Sequence, residues 1–439
     1  MQTTLKPALQ EDAAASSPAE VRDAVAAIIA DVRERGDAAV REHSERFDGW
    51  SPPRFRLDHA EIERIIGSLS RQVVDDIRTA QANIRHFAQA QRDSLRDFEI
   101  ETMPGVFLGQ RMIPVASAGA YVPGGRYPMV ASAHMTVVTA DVAGVERIAA
   151  CTPPIHGEVP AATIAAMHLG GADEIYLLGG VQAVAALALG TESIERVDFL
   201  AGPGNAYVAE AKRQLNGEVG IDLFAGPTEI LIVADETADP FVVAVDLLSQ
   251  AEHGPDSPAI LITTSHALGR EVIAQVDRIL PGMPTRDYAG PAWRDHGQVI
   301  AVDDIDEAYQ LADVLASEHV EVLTAEPRLA LERLRNYGSL FLGEATTVSY
   351  GDKVIGTNHT LPTRRSARYT GGLWVGKYLK TVTYQEITNR DSSAALGELC
   401  GRVSRVERFE GHARSGDVRV AKYAGVELAW APREPAEIH

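Results

Sequence analysis

From residue 118 onward, short apolar runs alternate with amphipathic stretches, and each run stops at a glycine or Gly-Pro turn. Runs at 147–151, 174–178 and 197–200 have the length of buried strands, and the segments 131–143, 161–169, 181–189 and 206–215 carry helical spacing. Apolar strands separated by helices predict a parallel, doubly wound layout, because only a sheet covered on both faces tolerates runs without polar alternation. The pattern then recurs. Strands are expected at 229–234, 259–263, 299–302, 320–323 and 339–342, and helices at 241–248, 268–280, 305–315 and 328–337. The first hundred residues follow another rhythm: a capping box of Ser17 and Glu20 with Pro18 at the first helical position opens a helix to about Arg35, and a second helix covers 37–47. Ile62, Ile65, Ile66, Val73, Ile77 and Ile84 then recur at helical spacing over 60–92, and 98–115 alternates like a hairpin. The segment from about Thr381, with helices expected at 392–408 and 411–422, holds few large apolar side chains. So short a stretch does not sustain its own core, and it must dock on this chain or on a second copy.

Length and charge narrow the class. A chain of 439 residues exceeds one ordinary core, so two or three domains are expected. The formal charge of −20 opposes nucleic acid and anionic membrane surfaces; the basic run 364–368 is the local exception, explained by a solvated loop or by an anion contact. Cys151 and Cys400 are the two cysteines, too few for a disulfide framework. No run approaches the roughly 18 apolar residues of a membrane span, and the polar residues 1–17 lack the apolar centre of a signal peptide, so a cytoplasmic location is expected.

Five places carry candidate chemistry. Gln250 and His253 stand three apart just before the helix-stopping Gly254-Pro255, so both should share the last turn of a helix and could close on one cation. Such a pair alone is more often an ordinary surface pair. Glu318 and His319 sit where a helix gives way to a strand and offer two proton acceptors of different acidity, although a helix C-terminal turn places a histidine there too. Asp352 and His359 share a polar, Gly-rich loop expected outside the core, and Glu407 and His412 flank Gly411 near a helix junction. The loop 202–205, Gly-Pro-Gly-Asn, is either a tight turn or a pyrophosphate seat at a helix N-terminus, since no Gly-x-Gly-x-x-Gly fingerprint follows a predicted strand. In open α/β sheets such ligands gather at the carboxyl ends of strands. Both cysteines read as inert core thiols without a cation nearby to lower their pKa.

The blocks 121–125, 202–205, 221–235, 250–256, 317–319, 356–363, 380–385 and 407–412 stand in the order found in the histidinol dehydrogenase family, which the chain resembles over essentially its whole length. The resemblance implies an α/β fold of two incomplete Rossmann-like doubly wound modules with a helical N-terminal and a small C-terminal extension. Its domains would be a helical part at 1–117, the NAD-side module at 118–227, the metal and catalytic module at 228–380, and a C-terminal segment at 381–439 that docks on the partner of a homodimer. It implies two successive NAD-dependent oxidations of L-histidinol, through the aldehyde to L-histidine, closing histidine biosynthesis. One zinc per site would be held by Gln250, His253, Asp352 and His412, an oxygen and nitrogen set that anchors the substrate rather than activating water. His319 would act as base and Glu318 would activate water for the aldehyde hydrate. Thr228, where many members have serine, and Glu407 would hold the substrate together with Gln250, His253, His319, Asp352 and His412. Tyr121, Gln182 and Asn205 would contact NAD, and Glu407 and His412 would complete the neighbouring subunit's site. Two other classes compete: a metallohydrolase generating zinc hydroxide near Glu318, which needs an open coordination position and no NAD, and a binding protein that closes on a small amine, which the missing signal peptide disfavours.

Overall fold

The computed structural model describes residues 2–9, 19–124, 128–224 and 226–431; Ser17 and Pro18 of the expected capping box, Gly125 and Ala225 lie outside them. The apolar runs become parallel strands of two sheets. One sheet orders Glu174–Leu177, Arg147–Thr152, Ser117–Tyr121, Phe199–Ala201 and Gly220–Ile221, all parallel. The chain builds outward from Ser117–Tyr121 on one side and then crosses to Phe199–Ala201 on the other, which leaves a crevice where the order reverses. The second sheet orders Thr3–Lys6, Gly297–Ala301, Ala259–Thr263, Ile230–Ala234, His319–Leu323 and Ser339–Leu342. Its last five strands run parallel with the same reversal, between Ile230–Ala234 and His319–Leu323, while Thr3–Lys6 pairs antiparallel on the edge.

Why these strands are apolar throughout follows from the period of two. Ile230, Ile232 and Ala234 face a cluster with Val243, Leu247, Val272 and Trp293, whereas Leu231 and Val233 face another with Tyr309, Ala312 and Val320. Helices cover both faces, so nearly every position is apolar, and the buried His319 and Glu321 of His319–Leu323 stand out against that rule. The structure is mixed α/β, and among the described residues no helix is long and apolar enough to cross a membrane.

Two compact units result: Met1–Asp93 with Pro114–Tyr378, which contains both parallel sheets, and Ser94–Ile113 with Leu379–His439. The second unit holds a three-stranded sheet, ordered Leu379–Ile387, Val106–Pro114 and Phe98–Met103, and the helices Arg390–Val406 and Glu410–Ala424. The helices touch backbone to backbone: a Cβ on Gly397 would stand 2.7 Å from the Gly416 carbonyl oxygen, and one on Gly416 2.5 Å from that of Gly397. Val403, Val406 and Phe409 of this unit remain exposed, Val406 by 85%.

Several elements differ from expectation. The helix Arg286–His296 was not foreseen, because Gly290-Pro291 reads as a breaker; buried Ala289, Ala292 and Trp293 hold it against the sheet nonetheless. The helix expected at 328–337 shrinks to Pro327–Leu329 and Ala330–Arg333, since Asp313 Oδ1 accepts from the backbone N–H groups of Arg335 and Asn336 and draws the chain away. The strands Thr3–Lys6 and Leu379–Ile387 appear where none was expected. Cys400 is exposed and not a core residue, whereas Cys151 is buried and burial pushes its thiol up to about 12.

The helical segment Val130–Ala143 is interrupted by a π turn, His134–Val138. A π turn frees carbonyls from the regular ladder. Here Asn358 Nδ2 donates to the Met135 carbonyl at 3.1 Å, and the Tyr378 hydroxyl donates to that of Thr136 at 2.9 Å.

Candidate active site

Ile230–Ala234 and His319–Leu323 are neighbours, with His319 opposite Ile230, so the residues just before each strand meet at the amino end of the sheet. That is the end opposite to the usual ligand crevice. Glu318 is buried there, and its Oε2 accepts from the Thr228 hydroxyl at 2.6 Å and from the Glu229 amide at 3.0 Å. His319 is buried too, with Nδ1 3.0 Å from the Glu229 carbonyl oxygen. A carbonyl only accepts, so Nδ1 carries a proton, and in the neutral ring Nε2 presents the lone pair. Nε2 is buried and has no hydrogen-bond partner among the described residues.

The helix Pro240–Ala251, capped by Asp239 with proline at its first position, runs back to this end and delivers Gln250, whose Oε1 lies 3.5 Å from the Thr228 hydroxyl. His253 falls beyond the helix, after the Glu252 cap, and not in the last turn as expected. Asp352 corrects the sequence reading as well. It lies on the short helix Val348–Lys353, capped by Thr347, and is buried instead of standing in an open loop. Its Oδ1 is 3.4 Å from His319 Nε2 and its Oδ2 3.9 Å from His253 Nε2. The structure therefore gathers Thr228, Gln250, His253, Glu318, His319 and Asp352. Glu407 and His412 are exposed on the second unit.

Electrostatics set the protonation states. Burial foremost lifts the Glu318 carboxyl above its usual range, against the pull of His319 and the Thr228 and Glu229 donors. Burial also opposes charge on His319, but Glu318 and Asp352 outweigh it and raise the ring to about 9, so Nε2 can act as a base only once that proton has left or a cation offsets the Asp352 charge. Asp352 resists the same desolvation and is held well below the usual carboxylate range, chiefly by His319. Burial lowers His253, and it holds His359 at about 4. The Asp352 carboxylate and the neutral His253 imidazole, 3.9 Å apart, together with the Gln250 amide oxygen beside Thr228, are donors that suit a divalent cation of borderline softness, because metals take histidine in its neutral form. Apart from this group, His59 and Glu63 on one helix and His168 on another bring ligand atoms within 4.8 Å of each other at the surface.

The other sheet presents its carboxyl ends. Tyr121 closes Ser117–Tyr121, with its hydroxyl accepting from the Gly180 amide at 3.2 Å; Gln182 sits in the helix Gly180–Leu189 and donates to Asp48 at 3.2 Å. Asn205 caps Ala206–Leu215, accepting from the Tyr207 and Val208 amides. Gly202 has φ +124°, and a Cβ there would stand 2.0 Å from the Tyr121 carbonyl oxygen, so only glycine lets the two loops meet.

Two features escaped the sequence reading. Lys212 and Asp222 form a buried ion pair that grips Gly202, with Lys212 Nζ donating to the Gly202 carbonyl at 2.9 Å and Asp222 accepting from its amide at 2.7 Å. A signal existed: Lys212 shares the helix face of Val208, Ala211 and Leu215. The second is Glu321, fully buried two residues after His319, with no hydrogen-bond donor to either carboxylate oxygen. Burial and then the nearby Asp246 push its carboxyl well above the ordinary range, so a protonated Glu321 can donate to Asp246. Asp246 also accepts from Thr347 at 3.0 Å, which ties together the elements bearing Gln250, His319 and Asp352.

A carboxyl whose pKa is raised on folding stabilises fully below its unfolded value and loses that contribution as pH climbs toward the folded one, at about 1.4 kcal/mol per pH unit in between. Glu321→Gln should therefore gain melting temperature relative to wild type as pH rises from acid to mildly alkaline. A difference that stays constant across that range would show that Glu321 is not held protonated.

Comparison with known proteins finds relatives over nearly the whole chain. The histidinol dehydrogenase family profile matches residues 11–420. A histidinol dehydrogenase homolog from Shouchella clausii is 61% identical over 87% of this chain and 90% of its own length. A sulfopropanediol 3-dehydrogenase from Ruegeria pomeroyi is 50% identical over 84% of this chain and 85% of its own. The crystal structure of histidinol dehydrogenase from Elizabethkingia anophelis superposes with a TM-score of 0.89 at 32% identity, covering 94% of both chains. By profile, sequence and fold, the chain belongs to the histidinol dehydrogenase family, a family of dehydrogenases.

Proposed function

We propose that the protein oxidises a primary alcohol to the carboxylate in two NAD-linked steps, with His319 as base. The observation that supports this most directly is the His319 ring, fixed through Nδ1 to the Glu229 carbonyl while its other nitrogen is buried and faces the Asp352 carboxylate at 3.4 Å, with no hydrogen-bond donor on it among the described residues. A base needs that geometry: an oriented ring with one free lone pair. Gln250, His253 and Asp352, with His412 contributed across a dimer, would hold a zinc ion whose positive charge would anchor the alcohol, and NAD, when bound, would supply the hydride acceptor. The Thr228 hydroxyl, oriented by Glu318, offers its lone pairs to the substrate, and His319 Nε2 takes the hydroxyl proton. In the second step Glu318 accepts a proton from the water that adds to the aldehyde, and His319 acts again on the hydrate.

The family name points to L-histidinol as the alcohol, giving L-histidine. A relative named for sulfopropanediol favours a second substrate, a diol carrying a sulfonate. NADH formation with L-histidinol or with 2,3-dihydroxypropane-1-sulfonate, two per carboxylate produced and lost on dialysis against a chelator, is the expected result. Metal-dependent hydrolysis of an ester or amide without NADH would favour a hydrolase instead.

The exposed Val403, Val406 and Phe409 beside Glu407 and His412 support docking of the second unit on a partner. Mixing inactive His319→Ala and His412→Ala chains should restore part of the activity in the mixed dimers, up to about one site in four if exchange is random. Mixed dimers that form but stay inactive would place each whole site within one chain.

A further inference from the structure

Close to Glu229, whose carbonyl holds His319, stands an arginine in an unfavourable backbone state, with no ion-pair partner among the described residues. Arg364 and Arg365 have φ of +51° and +63°, the left-handed region that is unfavourable for a non-glycine residue. Such strain persists where the surroundings impose it, often at a functional site. The Arg364 amide donates to Glu229 Oε1 at 2.8 Å, and the Thr363 hydroxyl accepts from the Gly226 amide at 2.5 Å. Glu229 is thus gripped twice, by Arg364 at its carboxylate and by His319 at its carbonyl. The Arg364 side chain lies over Gly226, two residues before Thr228: a Cβ on Gly226 would stand 2.6 Å from its Nε and 3.2 Å from its Cζ. Arg368, in the same run, spends its guanidinium on the Val314 carbonyl, whereas Arg364 is exposed and forms no ion pair among the described residues.

We infer that Arg364 recognises an anionic substituent, sulfonate or carboxylate, on the alcohol that this site oxidises. The inference rests on the dehydrogenase reading above. In a chain of net charge −20, a planar guanidinium held over Gly226, two residues before Thr228, and without an ion pair among the described residues, offers a bidentate seat to a group with two or three equivalent oxygens. It favours a small anionic alcohol over a cationic amino alcohol such as histidinol. Arg364 is a specificity residue and takes no part in proton or hydride transfer.

The test compares kcat and KM of wild type, Arg364→Gly and Arg364→Lys on four alcohols: 2,3-dihydroxypropane-1-sulfonate, glycerate, uncharged glycerol and L-histidinol. Glycine suits the backbone at φ +51°, so Arg364→Gly removes the cation while relieving the strain, and its melting temperature should equal or exceed that of wild type. Wild type is expected to use the sulfonate or the carboxylate at least about tenfold better than glycerol, and whichever of the two is preferred identifies the anion. Arg364→Gly should lose about tenfold or more on that substrate, mainly through KM and by more than it loses on glycerol, and Arg364→Lys should recover part. Preference of the wild type for histidinol or glycerol, or equal losses on all substrates, overturns the inference and leaves the dehydrogenase reading intact. No NADH from any of the four overturns the dehydrogenase reading and this inference with it.

Discussion

Replacing His319 by glutamine should lower kcat for alcohol oxidation by about 10²–10⁴-fold with little change in melting temperature. The glutamine amide can still donate to the Glu229 carbonyl that now holds Nδ1 at 3.0 Å, so the strand and its neighbour keep their shape. What disappears is the buried lone pair on Nε2. KM should move little, because the contacts made by Gln250, His253 and Thr228 are untouched. Raising the pH should return part of the lost rate, since hydroxide can remove the proton that the imidazole no longer takes. The companion change, Glu318→Gln, should act mainly on the second oxidation and let aldehyde accumulate. A loss of less than about tenfold for His319→Gln would assign the proton to another group.

Lys212→Met should destabilise the protein by about 3–5 kcal/mol, the usual consequence of stripping one partner from a buried ion pair. Asp222 would remain in a site with no solvent to take its charge, still accepting from the Gly202 and Leu223 amides but without a cation. The loop that it grips packs against the Tyr121 carbonyl, so the KM for NAD should rise along with the fall in urea midpoint. Adding Asp222→Asn should recover a good part of the stability, because the amide can accept without a charge to bury. If Lys212→Met costs under about 1 kcal/mol, the pair is solvated in solution and the loop is held by other means.

Local pattern carried the fold a long way for a definite reason. Strands such as Ile230–Ala234 and Ala259–Thr263 are covered on both faces, so burial writes itself into an unbroken apolar run, and the glycine turns between elements mark their ends. The misses are all matters of distant partners. Nothing near residues 286–296 announces that Trp293 has a sheet to lie on, and nothing near 335 announces the Asp313 carboxylate that ends a helix. Asp352 looked solvated because its neighbours are polar; its burial depends on His319 and His253, which approach from elsewhere in the chain. The pairing of Glu318 with His319 was visible, but not that both stand at the amino end of their sheet, since strand direction relative to a site is a property of topology. Roles proposed for the scattered site residues come only through ordered blocks shared with a family, because no local pattern ties residues so far apart to one another.

The π turn at 134–138 fixes something that no local feature would. Its freed carbonyls are occupied by Asn358 and Tyr378, which lie 223 and 242 positions further along the chain. Removing one residue from that turn would restore ordinary helix but rotate the preceding residues by about 100° and deprive both side chains of their acceptors. The surplus residue is therefore a locked insertion, whose loss would have to be matched by two compensating changes in the remote loop before the helix could be shortened.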